Sequence, residues 1–142
     1  MMVLALVLSL AAVSGALAEG GVKIGVSVAD LANVFYADIT DGMKSVLKEG
    51  DELIIMDADF DPAKQIADIE DMIQQGVAVM LVDPVDSAAI RSSLEACAEA
   101  GIPVVAYNSP CDAEDLVAST VASDNYMAGE LIGEALAEEL SG

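Results

Sequence analysis

The sequence predicts an α/β fold, a doubly wound parallel sheet with helices on both faces. Short apolar runs rich in β-branched residues alternate with longer segments in which apolar residues recur every three or four positions. The runs are apolar almost throughout, which is typical of strands buried on both faces of a parallel sheet. The predicted strands are residues 22–28, 53–57, 77–82 and 102–107, followed by a weaker one at 117–122.

The segments between the strands each carry one apolar stripe, as expected for helices packed on a sheet. The stripes are Ile39, Met43, Val46 and Leu47; Ile66, Ile69 and Ile73; Ile90, Leu94 and Cys97; and, in a last helix over residues 125–140, Ile132, Leu136 and Leu140. Residues typical of helix ends flank these stripes, with Pro62 in a first turn, Ser87 as a candidate N-cap, and Gly50, Gly76 and Gly101 after last turns.

Composition excludes several classes of function. The 142 residues contain 25 acidic and five basic side chains, a net charge of −20, so nucleic acids and anionic membrane surfaces are not expected partners. The chain has no histidine, which removes the commonest general base and metal ligand. It also has no G-x-S-x-G motif, and no glycine-rich phosphate loop follows a predicted strand. We therefore expect no enzyme activity, no metal ion and no cofactor.

The first 18 residues have the pattern of a signal peptide. They are predominantly apolar and end in Ala16-Leu17-Ala18, the small-x-small pattern of a cleavage site, before Glu19. The run is shorter than the ~20 apolar residues that a membrane-spanning helix needs. The sequence therefore predicts export to the periplasm or another extracytoplasmic space. Because no Lys or Arg precedes the run, a true start upstream of Met1 stays open.

Candidate ligand-binding residues follow two of the predicted strands. Parallel strands end along one edge of the sheet, where ligands of open α/β folds bind. Asn33, Phe35 and Tyr36 follow the first strand, and Asn108 and Ser109 follow the fourth. Amides can bind sugar hydroxyls while aromatic rings stack on the C–H face. Two alternatives remain: the first group is a helix N-cap with a core aromatic residue, and the second is a turn.

Other polar residues near this edge have simpler interpretations. Asp83 and Pro84 are favoured as a strand-to-helix turn over a ligand contact. Asp57, Asp59 and Asp61 are favoured as a solvated acidic loop, because the later glycine and glutamate of a calcium loop are absent. A disulfide between Cys97 and Cys111 is disfavoured, because the first lies about ten residues into a helix and the second follows a strand that runs back.

Five segments in order resemble the ribose-type branch of the periplasmic sugar-binding proteins, also called type I solute-binding proteins. The segments are VSVADLANVFYADITDGMK, DADFDPAKQIADIEDMIQQGV, MLVDPVDSAAI, AGIPVVAYNSP and VASDNYMAGELIGEAL. The resemblance implies a Rossmann-like lobe of a two-lobed protein that closes on its ligand by hinge motion. It implies a signal peptide at 1–18, an N-terminal lobe at 19–124, and the first helix of an otherwise missing second lobe at 125–142. Ser123 and Asp124 correspond to the first hinge crossing.

The same resemblance implies a function and a set of contacts. Members hold a sugar or sugar-like polar ligand between their lobes and deliver it to the membrane permease of an ABC-type transporter, or present it to a chemoreceptor. Asn33, Phe35 and Tyr36 match the family's sugar-contacting loop. Asn108 and Ser109 stand where many sugar binders carry Asp and then Arg, so neutral groups replace a charged pair. Which sugar or other solute binds stays open.

Two other classes share this order of elements. A phosphoacceptor receiver domain would use an Asp such as Asp83, but it needs a Lys after the fifth strand, where the chain has Ser123 and Asp124. The effector-binding domain of a sugar-responsive transcription regulator would follow a basic helix-turn-helix, whereas here an apolar leader occupies that place. Both are less favoured than an exported binding protein.

Overall fold

A computed structural model describes residues 20–141, which contain one five-stranded parallel sheet. The strands are β1 (Lys23–Val28), β2 (Glu52–Asp57), β3 (Val79–Val82), β4 (Val104–Tyr107) and β5 (Ser119–Val121). Their order across the sheet is β2-β1-β3-β4-β5, and every neighbouring pair is parallel. The predicted fold class is therefore confirmed. The predicted signal peptide at 1–18 and Glu19 lie outside the described residues.

Helices lie against both faces of the sheet. They are α1 (Val34–Ser45), α2 (Pro62–Gln74) and α3 (Arg91–Glu99). A fourth helix, α4 (Asn125–Ser141), follows β5, and a 3-10 turn spans Glu114–Leu116. One core cluster joins α2 and α3 to the sheet through residues such as Ile69, Leu94 and Met80. A second joins α1 to the opposite face through Tyr36, Val26 and Val28. Successive side chains of a strand point to opposite faces, so the same strands serve both clusters.

Helices α2 and α3 end in the same hydrogen-bonded motif. Gly76, with φ +74°, donates to the Ile73 carbonyl, and Val77 donates to the Met72 carbonyl. Gly101 and Ile102 repeat this arrangement after α3. In such a motif the left-handed residue favours glycine and the next residue makes an apolar contact. Val77 and Ile102 accordingly belong to the core cluster but precede the ladder, so β3 and β4 begin two residues later than predicted.

Two predicted helix boundaries are wrong. Helix α1 ends at Ser45, so Val46 and Leu47 lie outside it, and Val46 is exposed. The chain instead turns at Gly50, where the Asp51 carboxylate accepts hydrogen bonds from the Val22 and Lys48 amides.

Ser87 does not cap α3. Asp86 Oδ1 accepts from the amides of Ala88 and Ala89, and the helix proper begins at Arg91. Ser87 Oγ instead lies 3.1 Å from Asp112 Oδ2. The short polar side chain that satisfies the free amides is therefore one residue earlier than expected.

Cys97 and Cys111 are free, buried thiols of the same core cluster. Burial raises the pKa of the Cys97 thiol to about 11, so this side chain behaves as a small apolar core residue. No helix among residues 20–141 has the length and apolar character to cross a membrane.

Helix α4 differs from the other three because none of its residues is buried. The predicted stripe of Ile132, Leu136 and Leu140 is exposed, together with Tyr126, Met127 and Leu131. The sheet and its two core clusters thus lie within the part of the chain that precedes this helix.

Candidate functional site

The carboxyl ends of β1, β3 and β4 meet at one backbone carbonyl. The Ser27 carbonyl accepts a hydrogen bond from the Asp83 amide at 3.1 Å and another from the Tyr107 hydroxyl at 3.0 Å. Ser27 and Asp83 have no exposed surface, and Tyr107 is 6% exposed. Burial and then the charge of Asp83 raise the pKa of Tyr107 well above its usual value, so its hydroxyl stays a donor.

Gln65 bonds the same strand ends from the α2 side of the sheet. Its Nε2 donates to Ser27 Oγ at 2.9 Å and to the Asp83 carbonyl at 2.7 Å, while its Oε1 accepts from the Val85 amide at 2.9 Å. The side chain is 1% exposed and all of its polar atoms are engaged. A fully satisfied buried amide of this kind fixes the strand ends relative to α2.

Asp83 is the buried acid of the site. Its Oδ2 accepts from Asn108 Nδ2 at 3.1 Å, and its Oδ1 accepts from the Ser109 amide at 3.2 Å. The Tyr36 hydroxyl lies close to this carboxylate. Burial, reinforced by the negative charge of Asp83, raises the pKa of Tyr36 to about 12. Asp83 directly follows β3 and precedes Pro84, as expected for a strand-to-helix turn, but its side chain also contacts the Asn108–Ser109 segment and lies close to Tyr36.

Asn108 occupies a strained turn at the tip of β4. Its φ is +61°, and the Ser109 amide donates to the Tyr107 carbonyl across it at 2.7 Å. Asparagine is among the few non-glycine residues that tolerate this region. The turn interpretation is therefore correct for the backbone, while the side chain is half-buried and bonded to Asp83.

The two aromatic residues of α1 are in different environments. Their rings meet edge to face with centroids 5.1 Å apart and an interplanar angle of 75°. Phe35 is 46% exposed, whereas Tyr36 is 7% exposed and belongs to the core cluster under α1. Asn33 is the N-cap of this helix, and its Oδ1 accepts from the Phe35 amide at 3.0 Å. Phe35 is consequently the aromatic face available to a ligand.

A cleft of about 460 Å³ opens between α1 and strands β3 to β5. Its floor is apolar, formed by Ile39, Met43, Leu81, Val105 and Val121. Phe35, Asn108 and Ser123 line it as well, with Tyr107 and Ala122. The polar groups therefore lie at one end of the cleft, at the carboxyl edge, and the rest is an apolar groove along the sheet.

The structure brings most of the predicted residues together, but not all. Tyr36, Asn108 and Ser109 meet at Asp83, and Phe35 lies beside Tyr36. Asn33 starts the same helix but is not part of the cleft lining. Among the predicted hinge residues, Ser123 lines the cleft, while Asp124 Oδ1 accepts from the Met127 amide at the start of α4.

Two carboxylates of the acidic loop after β2 accept hydrogen bonds from backbone amides. Asp57 Oδ1 accepts from the Leu31 and Asp59 amides, and Asp61 caps α2 through the Ala63 and Lys64 amides. Within residues 20–141, no three acidic or thiol side chains are grouped so that they could hold a metal ion. These carboxylates are accounted for as loop and cap residues.

Comparison with known proteins assigns the family. Residues 24–142 match the family model described as a periplasmic binding protein domain. The chain belongs to the periplasmic binding protein family. The predicted likeness to its ribose-type branch is confirmed by curated relatives. This binding-protein chain is 40% identical over 118 residues to the ribose import binding protein of Bacillus subtilis (strain 168). The aligned region covers 82% of this chain and 38% of that relative.

Other members agree with this assignment. The ribose import binding protein of Haemophilus influenzae is 33% identical over 137 residues, covering 96% of the chain and 46% of the relative. A solved ABC transporter solute binding protein from Mycobacterium smegmatis with bound glycerol has a TM-score of 0.76 at 40% identity, covering 82% and 40%. A solved galactofuranose binding protein has a TM-score of 0.77 at 28% identity, and the match covers 84% of this chain and 42% of that protein. The chain thus spans less than half the length of these periplasmic binding proteins.

Proposed function

We propose that this chain forms the N-terminal lobe of an exported solute-binding protein that holds a sugar or sugar-like polar ligand in a cleft between two lobes. One observation carries the proposal: the exposed ring of Phe35 and the uncharged side chains of Asn108 and Ser109 gather at the carboxyl edge of the sheet. This is the edge at which open α/β sheets bind ligands.

The chemistry of this edge favours a neutral ligand with hydroxyl groups. Asn108 and Ser109 supply uncharged hydrogen-bonding groups, and Phe35 supplies an apolar face for C–H groups. Asp83 lies directly beneath them and the chain carries a net charge of −20, so an anionic ligand would be repelled. Relatives named for ribose, for xylitol and for ribose with allose agree with a polyhydroxy ligand.

The proposed domain division places the lobe at 19–124 and the start of a second lobe at 125–142, after a signal peptide at 1–18. Two observations support it: α4 buries none of its residues, and the chain spans 38% of the Bacillus subtilis relative. Ser123 and Asp124 would then be hinge residues, since they join the cleft wall to α4. Residues of the second lobe would complete the ligand's burial, as small-molecule sites usually require.

The proposed role is transport rather than catalysis. The loaded protein would dock on the membrane permease of an ABC-type importer, with a chemoreceptor as a second partner, on the extracytoplasmic side of the membrane. Solved ABC transporter solute binding proteins among the structural relatives support this role.

A thermal-shift screen of the full-length protein tests the proposal. The panel comprises ribose, allose, xylitol, myo-inositol and glycerol, with nucleotides and amino acids as unrelated ligands. A ligand that binds only the folded state raises the melting temperature, by an amount that grows with its concentration over Kd. We expect such a shift for at least one sugar or polyol. A shift confined to nucleotides or amino acids would reject a sugar-binding role. The absence of a shift with every sugar and polyol at about 10 mM would reject it as well.

A further inference from the structure

We propose that Asp83 is a positioning residue that determines which atom of Asn108 faces the ligand. The inference rests on the proposed function, because it concerns whether a donor or an acceptor faces the ligand at the proposed binding edge, the carboxyl edge of the sheet with Phe35, Asn108 and Ser109. Asp83 has no exposed surface, and its carboxylate lies beneath the turn that carries Asn108 and Ser109. A residue so placed contacts no ligand itself and acts through its neighbours.

The first step is the orientation of the Asn108 amide. A carboxylate only accepts hydrogen bonds, so the Asn108 atom 3.1 Å from Asp83 Oδ2 must be the NH₂ group. The same Nδ2 lies 3.4 Å from Ser109 Oγ. Both directed contacts therefore use the nitrogen end. Oδ1 accepts no hydrogen bond from residues 20–141, and Asn108 lines the cleft. Asn108 thus offers the ligand an acceptor of fixed orientation.

The turn makes this orientation costly to change. Asn108 is held at φ +61°, and its backbone N–H donates to the Val121 carbonyl at 2.9 Å. The backbone N–H of Ser109 donates to Asp83 Oδ1. The backbone on both sides is therefore fixed. Only a rotation of the terminal amide could exchange its two ends. Beside Asp83 that rotation would bring Oδ1 against a carboxylate oxygen, so two acceptors would face each other without a proton between them.

Asn33 has the opposite polarity. Its Oδ1 accepts from the Phe35 amide at 3.0 Å, so the oxygen end of this side chain is used by the helix. Because Asn33 does not line the cleft, only Asn108 presents an amide of fixed orientation there. A ligand hydroxyl at Asn108 must donate its proton. This predicts a specific loss when the hydroxyl at Asn108 becomes a group that cannot donate.

The decisive substitution is Asp83→Asn. Its Oδ1 can still accept from the Ser109 amide, but its NH₂ group then faces the NH₂ group of Asn108. To regain a hydrogen bond the Asn108 amide must rotate, which presents its nitrogen to the ligand. The exchange variant Asp83→Asn with Asn108→Asp restores donor to acceptor across the pair and again presents an oxygen to the cleft. It matches the wild type in size and in number of hydrogen bonds.

The test measures the affinity of the full-length protein, by calorimetry, for the polyol found in the thermal-shift screen. We expect Asp83→Asn to weaken binding about 10-fold or more, the scale of one mismatched buried hydrogen bond. In an Asn108→Ala background the same substitution should have less than about a 2-fold effect, because its target is gone. The exchange variant should recover to within about 3-fold of wild type. Monodeoxyfluoro analogues add a second readout, since wild type should reject one of them far more than Asp83→Asn does.

Each outcome decides a different question. Equal losses from Asp83→Asn in the wild-type and Asn108→Ala backgrounds, together with an unchanged ranking of the fluoro analogues, would mean that Asp83 only stabilises the fold. If Asp83→Asn alone does not fold, the exchange variant decides: folding with recovered binding supports the proposal, and failure of both overturns it. Absence of polyol binding by the wild type would instead reject the proposed function.

Discussion

Gln65 on α2 donates to Ser27 Oγ in β1 at 2.9 Å, although 38 residues separate them in sequence. The same amide also bonds the Asp83 carbonyl and the Val85 amide, and it is 1% exposed. It therefore holds the end of β3 in place from the opposite side of the sheet to α1. This contact also supports the carboxyl edge of the sheet, where we propose that the ligand binds, because Asp83 in turn bonds Asn108.

Replacing Gln65 by Leu should destabilise the protein by about 3 kcal/mol. The substitution keeps the side-chain volume but leaves Ser27 Oγ and the Val85 amide without their partner, and each unpaired buried group costs about 1–3 kcal/mol. Urea unfolding followed by circular dichroism gives the free energy. The matched control is Ser93→Ala, because Ser93 is 2% exposed and its Oγ is the buried side-chain atom without a partner within residues 20–141. That variant removes a buried hydroxyl that has no hydrogen bond to lose, so it should not destabilise the protein, and a loss equal to that of Gln65→Leu would contradict this reasoning.

Phe35 and Tyr36 should separate affinity from stability. Phe35→Ala removes a half-exposed ring, so we expect ligand affinity to fall by about 1–3 kcal/mol with little change in melting temperature. Tyr36→Ala removes a core side chain and should cost about 3–5 kcal/mol of folding free energy. Calorimetry and thermal melts of the same samples separate the two effects. Phe60→Ala is the control, because that exposed ring is not part of the cleft. Unchanged affinity in Phe35→Ala would remove the stacking role.

The strands could be predicted from sequence because their apolar runs are set by burial, but their first residues could not. Val77 and Ile102 are as apolar as the strands they precede, yet they close the caps of α2 and α3. An apolar run does not reveal whether its first residue joins the ladder or the helix cap. The glycine before each was the available signal, since a left-handed glycine places its apolar contact in the next residue.

The residues that organise the proposed binding edge were harder to predict. Asn108 and Phe35 were predicted as candidates from their types and positions, but Gln65 lies in the middle of a helix, where a polar residue usually faces solvent. Its role depends on the register of α2 against β1 and β3, which is a tertiary property. For Asp83 the signal existed: a carboxylate that directly follows an apolar strand run is placed at the buried edge and must be hydrogen-bonded.

The raised pKa of Tyr36 predicts a pH dependence of stability above pH 10. The folded protein holds this proton with a pKa of about 12, against an ordinary value of 10.0. The stabilisation is therefore fully present below pH 10 and is lost as the pH rises from 10 to 12. Tyr36→Phe lacks this titration. We expect the difference in unfolding free energy between wild type and Tyr36→Phe to shrink by about 2 kcal/mol between pH 9 and pH 12.

Paired urea titrations of the two proteins at each pH measure this difference. Because the charge of Tyr36 contributes to the raised pKa of Tyr107, the same pair of titrations is repeated in a Tyr107→Phe background, where the difference reports on Tyr36 alone. A difference that stays constant over this range would show that Tyr36 ionises equally in the folded and unfolded states.

Helix α4 should be the least stable helix of the described chain. It buries no residue, and two interior glycines, Gly129 and Gly133, each cost about 1 kcal/mol relative to alanine. Glu130, Glu134 and Glu138 lie four residues apart and repel one another, and α4 contains no basic residue to offset them. An isolated 17-residue helix is marginal even with a favourable sequence. Its amides should therefore exchange within seconds in the 142-residue chain, whereas α2 stays protected.

Hydrogen exchange read by mass spectrometry tests this with one designed variant. A methyl group at Gly129 or Gly133 meets no atom within 4 Å, so the double substitution to Ala adds helix propensity without a new contact. It should slow exchange in residues 125–141 and leave α2 unchanged. Strong protection of α4 in the wild type would contradict the expectation and would indicate that something covers Ile132 and Leu136, which are 70% and 58% exposed. Repeating the measurement over a 100-fold range of concentration then identifies that cover: protection that rises with concentration indicates a second copy of the chain, because only association depends on concentration.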